Sequence, residues 1–360
     1  SSSSADEWLE IYNNSEFDID LKSYQISFIL STGEKYIPLS GIIKKNDYFL
    51  IANNSKDYVF SNGQSMLNID PDFISSSLSI SNSSLLIKLF KLSDNGLDEI
   101  DIVGDGKAPF FGQTGVYRSM QRISDNDGKI STSFQPSFVC VNLDNCENNY
   151  GTPKSKNIFA PEIKFANNQK NYLVDTNQSI KYNISFIGND KRSIEALLYY
   201  KGIEIAGKIF QNDELDYSIN ISKSGCGKLL LIIKDEFNIK NNFENEICFY
   251  KKFNDLIISN ILANPNTDQT EYVIMFNNSN QILDLENYYI DDIEGGSKPY
   301  KLNNIIILPM SSFKLDLKSK IILNDSGDEI KVLDPDLNEV LSIPFGGSDN
   351  GDVLCKNNNY

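Results

Sequence analysis

DEWLEIYNNSEFDIDLKSY, residues 6–24, returns as TEYVIMFNNSNQILDLENY at residues 270–288. Aligned over 7–26 and 271–290, at a constant offset of 264, eight of twenty positions are identical. They are Glu7/Glu271, Asn13/Asn277, Asn14/Asn278, Ser15/Ser279, Asp20/Asp284, Leu21/Leu285, Tyr24/Tyr288 and Ile26/Ile290. Most other positions exchange one apolar residue for another. An internal repeat of this kind marks a unit of architecture used twice. In WLEIYN, Trp8, Ile11 and Tyr12 nearly alternate with Glu7, Glu10 and Asn13, as a half-buried strand requires. NNS suits the turn that follows, because Asn and Ser bond their own backbone and Asn tolerates φ > 0. Leu21 and Tyr24 then re-enter the core. The phrase reads as strand, turn, strand.

The rest of the chain follows the same grammar. SYQISFIL (23–30), DYFLIAN (47–53), SLLIKLFKL (84–92), DEIDIVG (98–104), SIKYNISFIG (179–188), ALLYYKG (196–202), LDYSINIS (215–222), KLLLIIKD (228–235) and NEICFYKK (245–252) are short runs rich in Ile, Tyr, Phe and Val. Clusters of Asn, Asp, Gly, Ser and Pro separate them, which is the pattern of β-sandwiches and barrels. No apolar stripe of helical period outlasts two turns, so the fold class is all-β. TPKSKN at 152–157 reads as a boundary, and 159–252 holds strands without the repeated phrase. KKFNDLIISNILANPN then opens a unit whose second strand is the repeat. The expected domains are 1–158, 159–252 and 253–360, three tandem sandwiches.

Composition narrows the function. The chain has no histidine, which removes Ser-His and Cys-His nucleophile pairs, most zinc and iron sites, and the usual neutral-pH base. GxSxG, HExxH and glycine-rich phosphate loops are absent too. The net charge of −16 divides into −7 over 1–158, +1 over 159–252 and −10 over 253–360. Such a surface repels phosphate backbones, so nucleic acid is not an expected partner. No run of about 18 apolar residues exists to span a membrane. The opening SSSS looks like a cut end or linker remnant, with no signal peptide before it. Of the five cysteines, Cys140 and Cys146 bracket the loop VNLDN, and Cys226 and Cys248 sit in neighbouring strand-like segments. Two local disulfides, with Cys355 left over, would suit an oxidising compartment; five scattered reduced thiols are the alternative.

The order of features in each copy carries a resemblance. EWLEIYN or EYVIMFN runs into an Asn/Ser turn, then Asp-Leu with an aromatic residue three positions on. An Ile-Ile run follows, then Tyr48-Phe49-Leu50 or Phe313-Lys314-Leu315, the turn LNDSGDEI, and DPDLNEV. This resembles the lamin tail domain in its bacterial secreted form, an immunoglobulin-like β-sandwich. The second copy matches from Leu256-Ile257-Ile258-Ser259 to Phe345-Gly346. The first matches over 6–158, more weakly in the middle, and ends on Arg118-Ser119-Met120-Gln121-Arg122-Ile123 and Thr152-Pro153. Lys154 stands where the family places glycine. The resemblance implies attachment, since bacterial members occur in secreted proteins, often beside nucleases or other hydrolases. One departure stands out. DLIISNILANP precedes the second phrase, whereas only SSSSA precedes the first, so the first sandwich is expected to lack its leading edge strand. A longer parent chain or another molecule would supply it.

Candidate sites are few. Ser124-Asp125-Asn126-Asp127-Gly128 has the DxDG spacing of part of a calcium loop, which makes Asp125 and Asp127 candidate Ca2+ ligands. Pro136 stands where that loop would place its last Glu. Asp291, Asp292 and Glu294, and Asp334 with Asp336, form similar acidic turns. Asn-x-Ser/Thr triplets include those that begin at Asn13, Asn53, Asn82, Asn177, Asn183, Asn220 and Asn277. Arg118 and Arg122 read as strand-edge residues paired with carboxylates. The expectation is a non-enzymatic extracellular or cell-surface structural or adhesion protein without catalytic residues or cofactor. It would meet itself or other surface proteins through sheet edges, including self-assembly by strand addition. The alternative is a module for a glycan or envelope polymer, serving a larger secreted enzyme. A self-contained hydrolase using paired carboxylates ranks third.

Overall fold

The computed structural model describes residues 7–355 except 31–32, 59–65, 112–115, 124–126, 188–191, 211–212 and 319. Its described elements are strands with two single-turn 3-10 segments. The first repeat contains β1 (Trp8–Tyr12), β2 (Ile19–Asp20), β3 (Tyr24–Leu30), β4 (Gly33–Pro38), β5 (Ile42–Ile43), β6 (Tyr48–Ala52), β7 (Phe73–Ile74), β8 (Ile87–Ser93) and β9 (Gly96–Val103). One sheet runs β4-β3-β8-β9, a second runs β1-β6-β7, and β2-β5 is a two-stranded ribbon. Leu21, Ile26, Phe28, Ile37, Ile43, Phe49 and Ile51 form the buried core between them. After it come β10 (Tyr117–Arg118), β11 (Met120–Arg122), β12 (Phe134–Pro136) and β13 (Asn149–Tyr150), paired β10-β13 and β11-β12. Leu50, Ala52, Met66, Leu67 and Leu143 make a smaller cluster, against which Trp8 packs.

The middle stretch contains β14 (Glu162–Phe165), β15 (Asn171–Leu173), β16 (Gln178–Ser185), β17 (Ile194–Tyr200), β18 (Ile203–Phe210), β19 (Glu214–Ile219), β20 (Gly225–Asp235) and β21 (Lys240–Tyr250). They form the sheets β14-β16-β19 and β15-β21-β20-β17-β18. Period-two burial is plain in β19, where Leu215, Tyr217 and Ile219 are buried and the residues between them exposed.

The second repeat contains β22 (Leu256–Leu262), β23 (Tyr272–Asn277), β24 (Leu283–Asp284), β25 (Tyr289–Asp291), β26 (Tyr300–Lys301), β27 (Ile306–Ile307), β28 (Ser312–Asp316), β29 (Gly327–Leu333), β30 (Glu339–Gly346) and β31 (Leu354–Cys355). Sheets β28-β23-β22-β31 and β26-β25-β29-β30, with the ribbon β24-β27, enclose a core containing Ile258, Ile261, Val273, Met275, Ile290, Ile330 and Val332. The two repeats agree in register, not only in sequence. Trp8↔Ala52 through Tyr12↔Tyr48 becomes Tyr272↔Asp316 through Phe276↔Ser312, each number raised by 264. The ribbons repeat likewise, Ile19↔Ile43 against Leu283↔Ile307. A β-bulge interrupts β8 at Leu89/Phe90 and β29 at Val332/Leu333. Against the partners of β3 and β25 these are the same place, since Gln25 faces Phe90 and Tyr289 faces Leu333.

Two compact units result: Ser1–Glu162 with Ser185–Lys191 and Asp235–Lys240, and Ile163–Ile184 with Arg192–Lys234 and Asn241–Tyr360.

Candidate functional site

The repeated phrase is held by one buried asparagine in each copy. Asn13 Nδ2 donates to the carbonyls of Phe17 (2.7 Å), Ile43 (3.3 Å) and Lys44 (3.0 Å). Its Oδ1 accepts from Ser15 N at 3.0 Å and Ser15 Oγ at 2.7 Å. Asn277 does the same with Gln281, Ile307, Leu308 and Ser279. Every partner is shifted by 264. NNS is therefore a clamp joining the first strand to the ribbon. Asn13 and Asn277 are buried with their amides committed, and Asn53 is buried as well, so these three triplets present no accessible amide. Asn82, Asn177, Asn183 and Asn220 are exposed.

Where the copies differ is the free side of the phrase strand. Asn13 N donates to Asp47 O and Asn53 N donates to Glu7 O, which turns the odd-numbered residues of β1 toward β6. The N–H and C=O groups of Trp8, Glu10 and Tyr12 point the other way, and no described strand pairs with them. In the second repeat β22 occupies this side of β23, from Leu256↔Asn277 to Leu262↔Tyr272. The consequence shows in the core. Val273 and Met275 are 0% exposed, whereas their counterparts Leu9 and Ile11 are only half-buried. Among the described residues this side of β1 has no strand neighbour, and Leu9 and Ile11 beside it are less buried than their counterparts.

The facing of β1 corrects the sequence reading. Leu9 and Ile11 pack on the main core, while Trp8 shares the opposite face with Glu10 and Tyr12. Glu10 Oε2 accepts from Lys154 N at 2.8 Å. Lys154 Nζ pairs with Asp72 Oδ1 at 2.7 Å, and Asp72 Oδ2 accepts from Leu50 N at 2.8 Å. Lys154 has φ +55°, a left-handed backbone conformation that glycine adopts more readily than lysine. Burial pushes the Glu10 carboxyl up to about 7; the Lys154 N–H opposes the shift and the Asp72 charge adds to it. Burial and the Glu10 charge push Tyr48 up to about 12. Glu7 and Glu271 are a matched pair. Each carboxylate accepts from a backbone N–H (Ile80 at 2.7 Å, Leu323 at 3.2 Å), and burial raises both pKa values against that bond. Sequence reasoning gave Glu7 and Glu10 no role. The available signal was an acidic residue held between apolar neighbours on a strand covered on both faces.

The other candidates lie apart. Asp125 falls outside the described residues. Asp127 Oδ1 accepts from Lys129 N at 2.9 Å, an ordinary turn bond. No group of three or more Cys, Asp or Glu able to hold a metal occurs among the described residues. Asp334 caps its own turn through Asp336 N and Asn338 N, and Asp292 accepts from Ser297 N. Asp291 pairs opposite Lys331 in the sheet, and burial raises its carboxyl above the usual range. Arg122 pairs with Asp101 at 2.5 Å. Arg118 takes no carboxylate among the described contacts; its guanidinium lies over the rings of Phe138 and Tyr150 and donates to Ser137 O. Cys140 is bonded to Cys146, and Cys226 to Cys248 across β20 and β21; Cys355 is free. No helix among the described residues is long and apolar enough to cross a membrane.

No family model matches the chain, and no curated protein does. Among solved structures, it is similar to the BSP domain of a biofilm-associated protein, at 11% identity over 97% of this chain and 68% of that one, with a TM-score of 0.22. A central fibronectin-III array of RIM-binding protein gives 8% identity over 54% and 70%, with a TM-score of 0.17. An alpha-2-macroglobulin of Escherichia coli gives 8% over 96% and 28%, with a TM-score of 0.25. At such scores the likeness is one of β-domain content, and the fold rests on the strand pairing described above.

Proposed function

We propose that the chain is a non-enzymatic structural or adhesion module of the cell exterior. In this reading 1–158, 159–252 and 253–360 are three immunoglobulin-like sandwiches, the outer two of lamin-tail type. The first is completed by an antiparallel strand that lies along β1 and comes from beyond the described residues. One observation carries the reading: among the described residues no strand pairs with the edge of β1 beside half-buried Leu9 and Ile11, while the same edge of β23 is filled by Leu256–Leu262. Strand addition satisfies a row of backbone donors and acceptors at once and covers the apolar pair. The two disulfides support an oxidising, extracellular setting.

A peptide of the sequence of residues 255–263, DLIISNILA, tests this. In its presence hydrogen exchange at the Trp8, Glu10 and Tyr12 amides should slow at least tenfold. The same peptide with Pro in place of Ile258 should have little effect. Amides at Trp8, Glu10 and Tyr12 already protected as well as those of Tyr272, Ile274 and Phe276 would refute the open edge.

A further inference from the structure

The outer face of β1 carries a charge that its surroundings do not balance. Glu10 lies mid-strand opposite Leu50, and its backbone groups point to the side on which no described strand pairs. Its Oε2 accepts from Lys154 N at 2.8 Å, and its Oε1 has no partner among the described residues. The Lys154 ammonium is spent on Asp72 at 2.7 Å, so that anion and cation cancel and Glu10 is left over. Burial works against its ionised form and the Asp72 charge adds to this; only the Lys154 N–H supports it. Two positions on, Tyr12 is 48% exposed, with its ring 4.9 Å from that of Tyr48. The second repeat shows how an occupied edge treats the same place. Residue 274 is Ile where the first repeat has Glu10, and the uncharged Asn260 of β22 faces it. On either side Ile261 faces Val273 and Ile258 faces Met275, all four buried. The first repeat keeps those flanking positions apolar, as Leu9 and Ile11, and sets a carboxylate between them.

We propose, resting on the open edge of β1, that the strand completing the first repeat belongs to a partner polypeptide and sets a lysine or arginine opposite Glu10, between apolar residues opposite Leu9 and Ile11. Antiparallel pairing puts alternate residues of the incoming strand on opposite faces, so its apolar pair covers Leu9 and Ile11 while the cation meets the carboxylate. The aliphatic stem of that cation runs beside Tyr12 and Tyr48, whose ring faces attract positive charge. A partly buried carboxylate is costly to leave alone, and a matched charge across the contact both offsets that cost and rejects strands without it. None of the stretches outside the described residues has a Lys or Arg between two apolar residues, so none of them fits the place.

Three peptides added to the whole protein at pH 8 test this: residues 255–263 as they stand, DLIISNILA, and the same peptide with Asn260→Lys or Asn260→Glu. Trp8 is the one tryptophan of the chain, so its fluorescence reports occupancy of β1, and exchange at the Trp8, Glu10 and Tyr12 amides fixes the place. The Lys peptide should bind about tenfold more tightly than the Asn peptide, and the Glu peptide more weakly than either. On the Glu10→Gln protein the three should bind about equally. Equal affinity of the Lys and Asn peptides for the wild type, or a Lys preference that survives Glu10→Gln, would overturn the charge requirement and leave the edge reading standing. Failure of all three to protect β1 would take both down. Protection that appears without peptide and rises with the protein's own concentration would make a second copy the occupant and overturn the partner. Glu10→Gln keeps an oxygen for the Lys154 N–H; if it still melts early, about 0.5 M salt replaces it, and a Lys preference that salt does not reduce would overturn the proposal.

Discussion

The Asn13 side chain holds five partners: its two amide hydrogens serve three carbonyls, one of them shared, and its oxygen accepts twice. Asn277 repeats the arrangement, so the same loss can be measured twice in one molecule. Asn277→Ala strands buried carbonyls and a turn N–H, and should destabilise the second unit by about 2–4 kcal/mol in urea titration. Asn13→Ala should act alike on the first unit. An effect below about 0.5 kcal/mol would mean that the clamp is incidental. Met310→Asn should do the opposite and add about 0.5–1 kcal/mol, by relieving a left-handed methionine while touching no core contact.

At the level of elements, the period-two strands, the repeat and its offset were legible because they follow from side-chain patterning alone. The two-residue strands β2, β5, β24 and β27 were not, since two residues show no period, and they are fixed by the asparagine clamp instead. Alternation in WLEIYN was also misleading about facing. β1 packs against an apolar cluster on each face, so Trp8 and Leu9 are both apolar yet point apart. The network of Glu10, Asp72 and Lys154 joins residues 82 and 144 positions apart, which no local pattern reveals. Disulfides were read from spacing, and Cys226–Cys248 closes a separation of 22 residues. Replacing both with alanine should cost about 3 kcal/mol in the chain-entropy model, read as a lower urea midpoint for the second unit. Equal midpoints for oxidised wild type and the double variant would show that the bond constrains little.

Over the whole molecule, acid should stabilise before it denatures. Glu10 titrates near 7 in the folded chain, against 4.5 when solvated. Between those values the folded state binds more protons than the unfolded one, so stability falls as pH rises toward 7 and levels off above it. Glu7 and Glu271 are shifted in the same direction and act with the same sign. Lowering pH also reduces a net charge of −16 and the self-repulsion that accompanies it. The melting temperature should therefore be higher at pH 5.5 than at pH 8. Glu10→Gln, which stays neutral, should remove about 2 kcal/mol of the stability change between pH 5.5 and pH 8. A melting temperature independent of pH over this range, or an unaltered slope in the variant, would contradict the burial of Glu10.

The shared register of β1–β6 and β23–β28 also bears on how the chain is made. β6 and β28 each accept a phrase strand in the same register, so a chain refolding all at once can thread the wrong copy into either slot. Ribosomal synthesis avoids that choice, because the first phrase and β6 emerge and pair long before residue 271 exists. The intervening stretch thus acts as a delay. Dilution from denaturant should consequently yield a trapped fraction that vectorial synthesis does not, and shuffling the order of the repeats would leave that fraction unchanged while removing the stretch between them would enlarge it.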